Sequence, residues 1–287
     1  MYYGFIIVSV LMFGGCFFLN DVYRKKRNAS DVLKTFESMF IGSIVGLIIL
    51  FIINGFKLEF TWFTLLIVLL TTLNNMAFNY CSFKALKHIN LSMFSLFTML
   101  GGMLLPFLQG LIFYDEQLTI GKVICVVLIL ISLILTIKNN NKKGGYIYYI
   151  GIFILNGMSG VLSKLFLEAP FEKTSVEGYS IFLALVSIIV SAGMLVYLTK
   201  VRKEKLALLN FKTSSFCMIH GALDKIANFL LVISLVHVQS SIQYPLVTGG
   251  VIIVSTINSY FSGVKPTIKE IISVIIAFIG LLILFLF

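Results

Sequence analysis

The stretch FCMIHGALDKIAN, residues Phe216–Asn228, lies inside an apolar run of about membrane length, Thr213 to Val236. It carries His220, Asp224, Lys225 and Asn228. Ionisable groups at bilayer depth are expensive, and by default they mark a pathway or a binding site. His220, Asp224 and Asn228 follow one another at intervals of four, which puts them on one helical face. A second polar stripe, Thr71, Asn75 and Asn79, lies 149 residues earlier in another apolar run. Matched stripes in two such runs point to a duplicated membrane chain with its polar site where the copies meet.

Composition agrees. Of 287 residues, 59% are hydrophobic and 12% charged, and the mean hydropathy is +1.03. A soluble domain carries about 25% charge. A transmembrane helix needs about 20 apolar residues. Ten such runs are present, at 2–19, 36–55, 61–83, 90–113, 119–137, 146–166, 179–199, 213–236, 239–262 and 268–287. Each is too long and too uniformly apolar for an alternating barrel strand. The expected fold class is all-α, a polytopic membrane bundle of ten transmembrane helices.

Several classes are excluded. The first run opens at Tyr2 with no basic residues before it, which argues against a cleaved secretory signal. The same lack weighs against Phe13-Gly14-Gly15-Cys16 as a lipoprotein site. Cys16, Cys81, Cys125 and Cys217 all fall in apolar runs without a Cys-x-x-Cys pair, so they read as small buried hydrophobes. Three histidines without paired spacing give no metal site, and no phosphate-binding loop is present. No cofactor is expected. The net charge of +10 comes from loops, so no nucleic-acid partner is implied. Basic residues concentrate in odd-numbered connections, such as Arg24–Arg27 and Lys200–Lys205. The positive-inside rule then puts those loops in the cytoplasm and both termini outside.

Lys138–Gly145, KNNNKKGG, divides the chain into halves 1–140 and 141–287. Leu86-Lys-His88 with Ser92 matches Leu235-Val-His237 with Ser241 at an offset of 149. Gly101-Gly102 and Thr119-Ile120 match Gly249-Gly250 and Thr267-Ile268 at 148. Five helices per half is an odd number, so the halves form two inverted five-helix repeats. Pro106 and Pro245 are the prolines within the runs. Each deletes a helical hydrogen bond, so with Gly101, Gly102, Gly249 and Gly250 it reads as a hinge or a static kink. Gln109, Gln243 and Tyr244 lie near these breaks and are candidates for the same cavity. Gly42-x-x-x-Gly46 is a close-packing face, for an ordinary helix contact or for a homodimer. Asp115-Glu116 suits the positive end of the fifth helix, and Thr267–Glu270 has capping-box spacing. His88 and His237 read as interfacial.

These features resemble EamA-type members of the drug/metabolite transporter superfamily. The match is carried by Phe83-Lys-Ala-Leu-Lys-His-Ile-Asn-Leu-Ser92, the Gly/Pro-bearing helix after it, Tyr114-Asp-Glu116-Gln-Leu-Thr119 and a last apolar helix. The second-half counterpart runs from Leu235 to Phe287, but it has Gly263-Val-Lys265-Pro where the family often keeps an acid like Glu116. The resemblance implies alternating-access movement of a small metabolite or amphipathic drug-like solute, often export and often proton-coupled. It also implies cytoplasmic termini, against the loop charges.

The leading expectation is a secondary transporter of the cell membrane, with a small-molecule substrate and the lipid bilayer as partners. Its site is expected between the halves, lined by the third, fourth, eighth and ninth helices. Asp224 is the candidate group for proton or cation coupling, a role that intramembrane carboxylates serve in pumps and transporters. Lys225 lies about 100° around the helix and need not pair with Asp224. It would neutralise another acid or meet an anionic substrate, as would Lys164. Three alternatives compete. Asp224 and Lys225 could belong to a structural interhelical ion-pair network. An integral-membrane lipid-modifying enzyme would need a catalytic dyad or metal cluster, which the sequence lacks. A non-transporting receptor or scaffold would have no use for inverted duplication.

Overall fold

Inside a bilayer every backbone polar group must be satisfied within the protein, which leaves apolar segments of this length only the helix. The computed structural model describes residues 1–88, 91–135, 146–203, 211–261 and 268–286, and all regular structure among them is helical. The helices are α1 (Tyr2–Lys26), α2 (Asp31–Ile53), α3 (Trp62–His88), α4 (Leu91–Phe113), α5 (Ile120–Leu135), α6 (Tyr146–Glu168), α7 (Val176–Lys200), α8 (Phe211–Leu235), α9 (Ser240–Phe261) and α10 (Ile268–Leu286). Six contain a stretch long and apolar enough to cross a membrane: α1, α2, α3, α6, α7 and α8. The other four supply shorter apolar stretches. The chain is a multi-pass membrane protein. Its outer surface carries large apolar side chains such as Ile48, Ile52, Trp62 and Ile189, as a lipid-facing surface requires. The linker Lys138–Gly145, Thr267 of the expected capping box, and the side chains of Glu270 and His88 lie outside the described residues.

Local chemistry sets the helix ends. Ser30 accepts a hydrogen bond from the Leu33 amide to start α2, and Ser175 does the same for Gly178 at α7. At the end of α2 the chain turns out through Gly55, at φ 59°, a left-handed conformation that glycine tolerates without strain. The Phe56 amide then reaches back to the Phe51 carbonyl, 2.9 Å away.

The packing partners repeat when each helix of the first half is exchanged with its counterpart five helices later. The pair α1·α8 maps onto α3·α6, α1·α9 onto α4·α6, and α2·α8 onto α3·α7. Three pairs, α2·α7, α4·α9 and α5·α10, map onto themselves. Direction follows from contacts along the helices. Tyr2, at the start of α1, stacks on His237 just past the end of α8, with ring centroids 4.0 Å apart, and Cys16 meets the His220 carbonyl. So α1 runs antiparallel to α8. Consecutive helices alternate, and α6 therefore points opposite to α1. The stacked, exposed His237 fits the interfacial reading.

Glycines set the closest crossings. Gly42 and Gly221 bring the backbones of α2 and α8 into direct contact, where a Cβ on Gly42 would lie 3.1 Å from Gly221 Cα. The close-packing face predicted at Gly42-x-x-x-Gly46 is thus used within the chain, with Gly46 against the Lys225 stem.

Candidate functional site

A cavity of about 270 Å³ lies between the halves. Side chains from α1, α2, α3, α4, α6, α7, α8 and α9 line it, and α5 and α10 contribute none of the described lining residues. The sequence pointed to α3, α4, α8 and α9. The structure adds the other two helices of each half, with α2 brought close to α8 by the crossing of Gly42 on Gly221.

Both predicted polar stripes face this space. His220, Asp224 and Asn228 line it from α8, and Thr71, Asn75 and Asn79 from α3. Gln243 and Tyr244 line it from α9. Among the described lining residues, Asp224 and Lys225 carry the only full charges. Lys225 Nζ sits 3.8 Å from Asp224 Oδ2, with side chains 16% and 33% exposed. This corrects the expectation that Lys225 need not pair with its neighbour. A lysine stem is long enough to fold back across a 100° separation, and the missing side chain at Gly46 leaves room for it. Asn228 Nδ2 donates to the Asp224 carbonyl at 2.8 Å and to Asp224 Oδ1 at 3.1 Å.

The surrounding polar groups mostly bond to backbone across helices. Asn156 of α6 donates to the Thr98 carbonyl at 2.7 Å, and Tyr244 to the Gly160 carbonyl at 3.2 Å. The Thr71 and Tyr179 hydroxyls lie 3.3 Å apart. Gln243 Nε2 donates to the Leu231 carbonyl, 3.0 Å away, while its Oε1 is buried without a hydrogen-bond partner. A buried acceptor left unpaired is costly, and this one belongs to a residue that lines the cavity.

Other predicted residues lie elsewhere. Gln109 is not among the lining residues. Its amide donates to the Val161 carbonyl at 3.2 Å, on the α6 side of α4. Of the hinge candidates only Gly102 lines the cavity, against Asn156. Gly101 packs on the Phe153 backbone, Gly249 on Leu281 and Gly250 on Val10. Pro106 and Pro245 are buried within α4 and α9. Sequence reasoning missed Asn156, Ser159, Ser163, Tyr179 and Ser187, all cavity-lining. A lone amide in the apolar α6 was the available signal for Asn156. The small hydroxyls gave none, since serine is common in membrane helices.

Glu116 is placed differently from expectation. It does not serve the start of α5. Its Oε1 accepts from the Ser240 amide at 3.0 Å and the Ser240 hydroxyl at 2.7 Å, and its Oε2 accepts from the Ser241 amide at 2.9 Å. The positive end of α9 offers this carboxylate two free amides and a hydroxyl in one place. Lys164 Nζ lies 3.4 Å from Glu116 and 3.0 Å from Glu168, so it takes the acid-neutralising role. Burial works against the Glu116 charge, but the Ser240 and Ser241 hydrogen bonds outweigh it and hold the carboxyl below its ordinary range. A second network, at the α1–α2 elbow, joins Arg27 and Tyr23 to Glu37, with the Arg27 Nε to Glu37 Oε2 bond at 2.8 Å.

The four cysteines are free thiols, and no group of potential metal ligands occurs among the described residues. Residues 1–138 match the model of the EamA-like transporter family, the family that the motifs of the chain resemble. That family comprises membrane transporters of small solutes, not enzymes. A solved structure described only as the crystal structure of a protein is similar over 98% of this chain and 95% of its own. The TM-score is 0.75 and the identity 17%, a likeness of fold alone. None of the curated proteins matches.

Proposed function

We propose that the protein is a secondary transporter of the cell membrane that carries a small polar solute through the cavity between its halves, residues 1–140 and 141–287. The observation that supports this is the placement of the Asp224–Lys225 pair. The two residues are neighbours on one helix, so their pairing ties no two helices together, and both line the cavity. A structural ion-pair network would join different helices. The cavity therefore offers a solute one anionic and one cationic contact amid amides and hydroxyls, with little net charge. A solute with a donor or cationic end for Asp224 and an acceptor or anionic end for Lys225 fits this chemistry. The volume is close to the lower end of small-molecule pockets, roughly 300–1,000 Å³.

Asp224 is the coupling residue in this reading, exchanging a proton or cation as the cavity alternates between the two faces. Access alternates by movement of one inverted half against the other. With no phosphate-binding loop in the sequence, the driving force is a gradient of ion or solute. The alternatives of scaffold and lipid-modifying enzyme lack any feature of the cavity in their favour.

A thermal-shift screen of the purified protein against amino acids, nucleosides, sugars and quaternary amines tests the proposal. A ligand that binds the native state raises the melting temperature in proportion to ln(1 + [L]/Kd). One chemical class should stabilise the wild type and fail to stabilise Asp224→Asn. A class that stabilises both equally would take the site away from Asp224, and no stabilisation by any class would sink the reading of the cavity as a solute site.

A further inference from the structure

Two glutamates outside the cavity share one arrangement. Glu59 lies in the α2–α3 loop and Glu116 in the α4–α5 loop, both in the first half. Each reaches across to the start of a second-half helix. Glu59 Oε2 accepts from the Ser175 amide at 2.5 Å, and its Oε1 from the Ser175 hydroxyl at 2.9 Å, at the N-terminus of α7. Glu116 holds Ser240 and Ser241 at the N-terminus of α9. Both loops open on the same face, because two helices, α3 and α4, separate them. A carboxylate on free helix amides makes charge-assisted hydrogen bonds with the helix dipole behind them.

The cavity begins one helical turn further in. Tyr179 follows Ser175 by four residues on α7, and Tyr244 follows Ser240 by four on α9. Both tyrosines line the cavity, and each hydroxyl bonds to another helix, at Thr71 and at the Gly160 carbonyl. A tilt of α7 or α9 that withdraws its tyrosine from the cavity floor must also pull its serine out of the carboxylate.

We propose that Glu59 and Glu116 are two carboxylate clasps that hold this one face shut. Their release from Ser175 and from Ser240–Ser241 opens the cavity to that face. The clasps set how often that face opens. Lys164, paired with Glu116 from α6, adds a third second-half element to the same closure.

The inference rests on the transport reading of the cavity, and its test needs no substrate. Spin labels at Leu118→Cys and Val236→Cys, both exposed, span the two halves on this face in a background without the four native cysteines. Their distance distribution is measured in lipid nanodiscs for the parent, Glu59→Gln, Glu116→Gln and the double variant. Glutamine keeps the shape but removes the charge, and at Glu116 it must also point an NH2 group at a backbone donor. The parent should give one short distance. Each single variant should add a longer population, and the open-to-closed ratio should rise about tenfold or more for each charge-assisted interaction lost. The single variants each leave one clasp intact, so they report even if the double variant misfolds. Unchanged distributions in folded single variants would overturn the clasps while leaving any ligand stabilisation of the cavity untouched. Shifted distributions in a protein that no ligand stabilises would instead leave the clasps standing and remove the transport reading.

Discussion

Gly221→Ala should be among the most damaging single-methyl additions in the protein. The new Cβ would lie 2.9 Å from the carbonyl carbon and oxygen of Gly42, and closer still to its Cα. These are backbone atoms, so no rotamer change relieves the clash and the helices themselves must part. A separation of only about 0.5–1 Å already forfeits a quarter to a half of each contact's dispersion energy. Overpacking a filled site typically costs about 1–3 kcal/mol, and this backbone-on-backbone case belongs at the upper end. Gly42→Ala should cost less, since its Cβ would lie 3.1 Å from Gly221 Cα. Gly46→Ala would put its Cβ 2.9 Å from Lys225 Cβ and closer still to Lys225 Cγ, the end of the stem fixed by the α8 backbone, so it should cost stability as well as disturb the ion pair with Asp224. Gly193→Ala has nothing within 4 Å, and helix propensity favours alanine there by up to about 1 kcal/mol. Unfolding in mixed micelles titrated with a denaturing detergent gives the ranking. The expected order of loss is Gly221, then Gly42, with Gly193 unchanged or stabilised. A Gly221→Ala protein as stable as its parent would refute the close α2–α8 crossing, and with it the geometry assigned to the cavity wall.

Three further outcomes can be checked. Asp224→Asn should cost less than about 1 kcal/mol of stability, because the pair is partly exposed and the amide can still accept from Asn228. It should nevertheless abolish gradient-driven accumulation and the pH dependence of solute binding. A low yield of folded protein, rescued with full pH-dependent transport by adding Lys225→Met, would remove Asp224 as the coupling residue. Pro106→Ala and Pro245→Ala should change the rate of transport more than solute affinity, measured as turnover against Kd, since neither proline lines the cavity; unchanged turnover in both would make them static kinks. Glu116 has a depressed pKa, so its stabilisation is present in full above its unfolded value, near 4.3, and is lost as pH falls through the lower folded value. The melting-temperature gap between wild type and Glu116→Gln should therefore be wide at neutral pH and close on acidification through that window. A gap independent of pH would deny the carboxylate that role.

Helix existence was legible in the sequence because apolar runs of membrane length have one stable backbone solution. The run at 146–166 became α6, Tyr146–Glu168, and that at 179–199 became α7, Val176–Lys200. Both polar stripes were legible too, since a four-residue interval fixes a helical face whatever the tertiary structure. Side-chain reach was not. The angle between Asp224 and Lys225 gave the directions of their Cβ atoms, while their pairing depends on space left by Gly46 on another helix. The partner of Glu116 was equally hidden. Its neighbours in sequence suggested the start of α5, and the amides it binds lie more than a hundred residues away. Gln109 stood near a kink, but proximity to Pro106 did not say which side of α4 it occupies.

The pairing of α5 with α10 has a consequence for how such a chain can diversify. The two helices pack on each other through Ser132 and Ser273, with Gly280 against Leu128 and Cys125, and they stay out of the cavity. Drift in their sequences alters their packing on each other and on α9 but not the cavity wall, while drift at the lining positions of the other eight helices alters that wall directly. A lineage whose cavity chemistry changed would therefore record the change in the first four helices of each half. The fifth and tenth would accumulate only paired, mutually compensating substitutions.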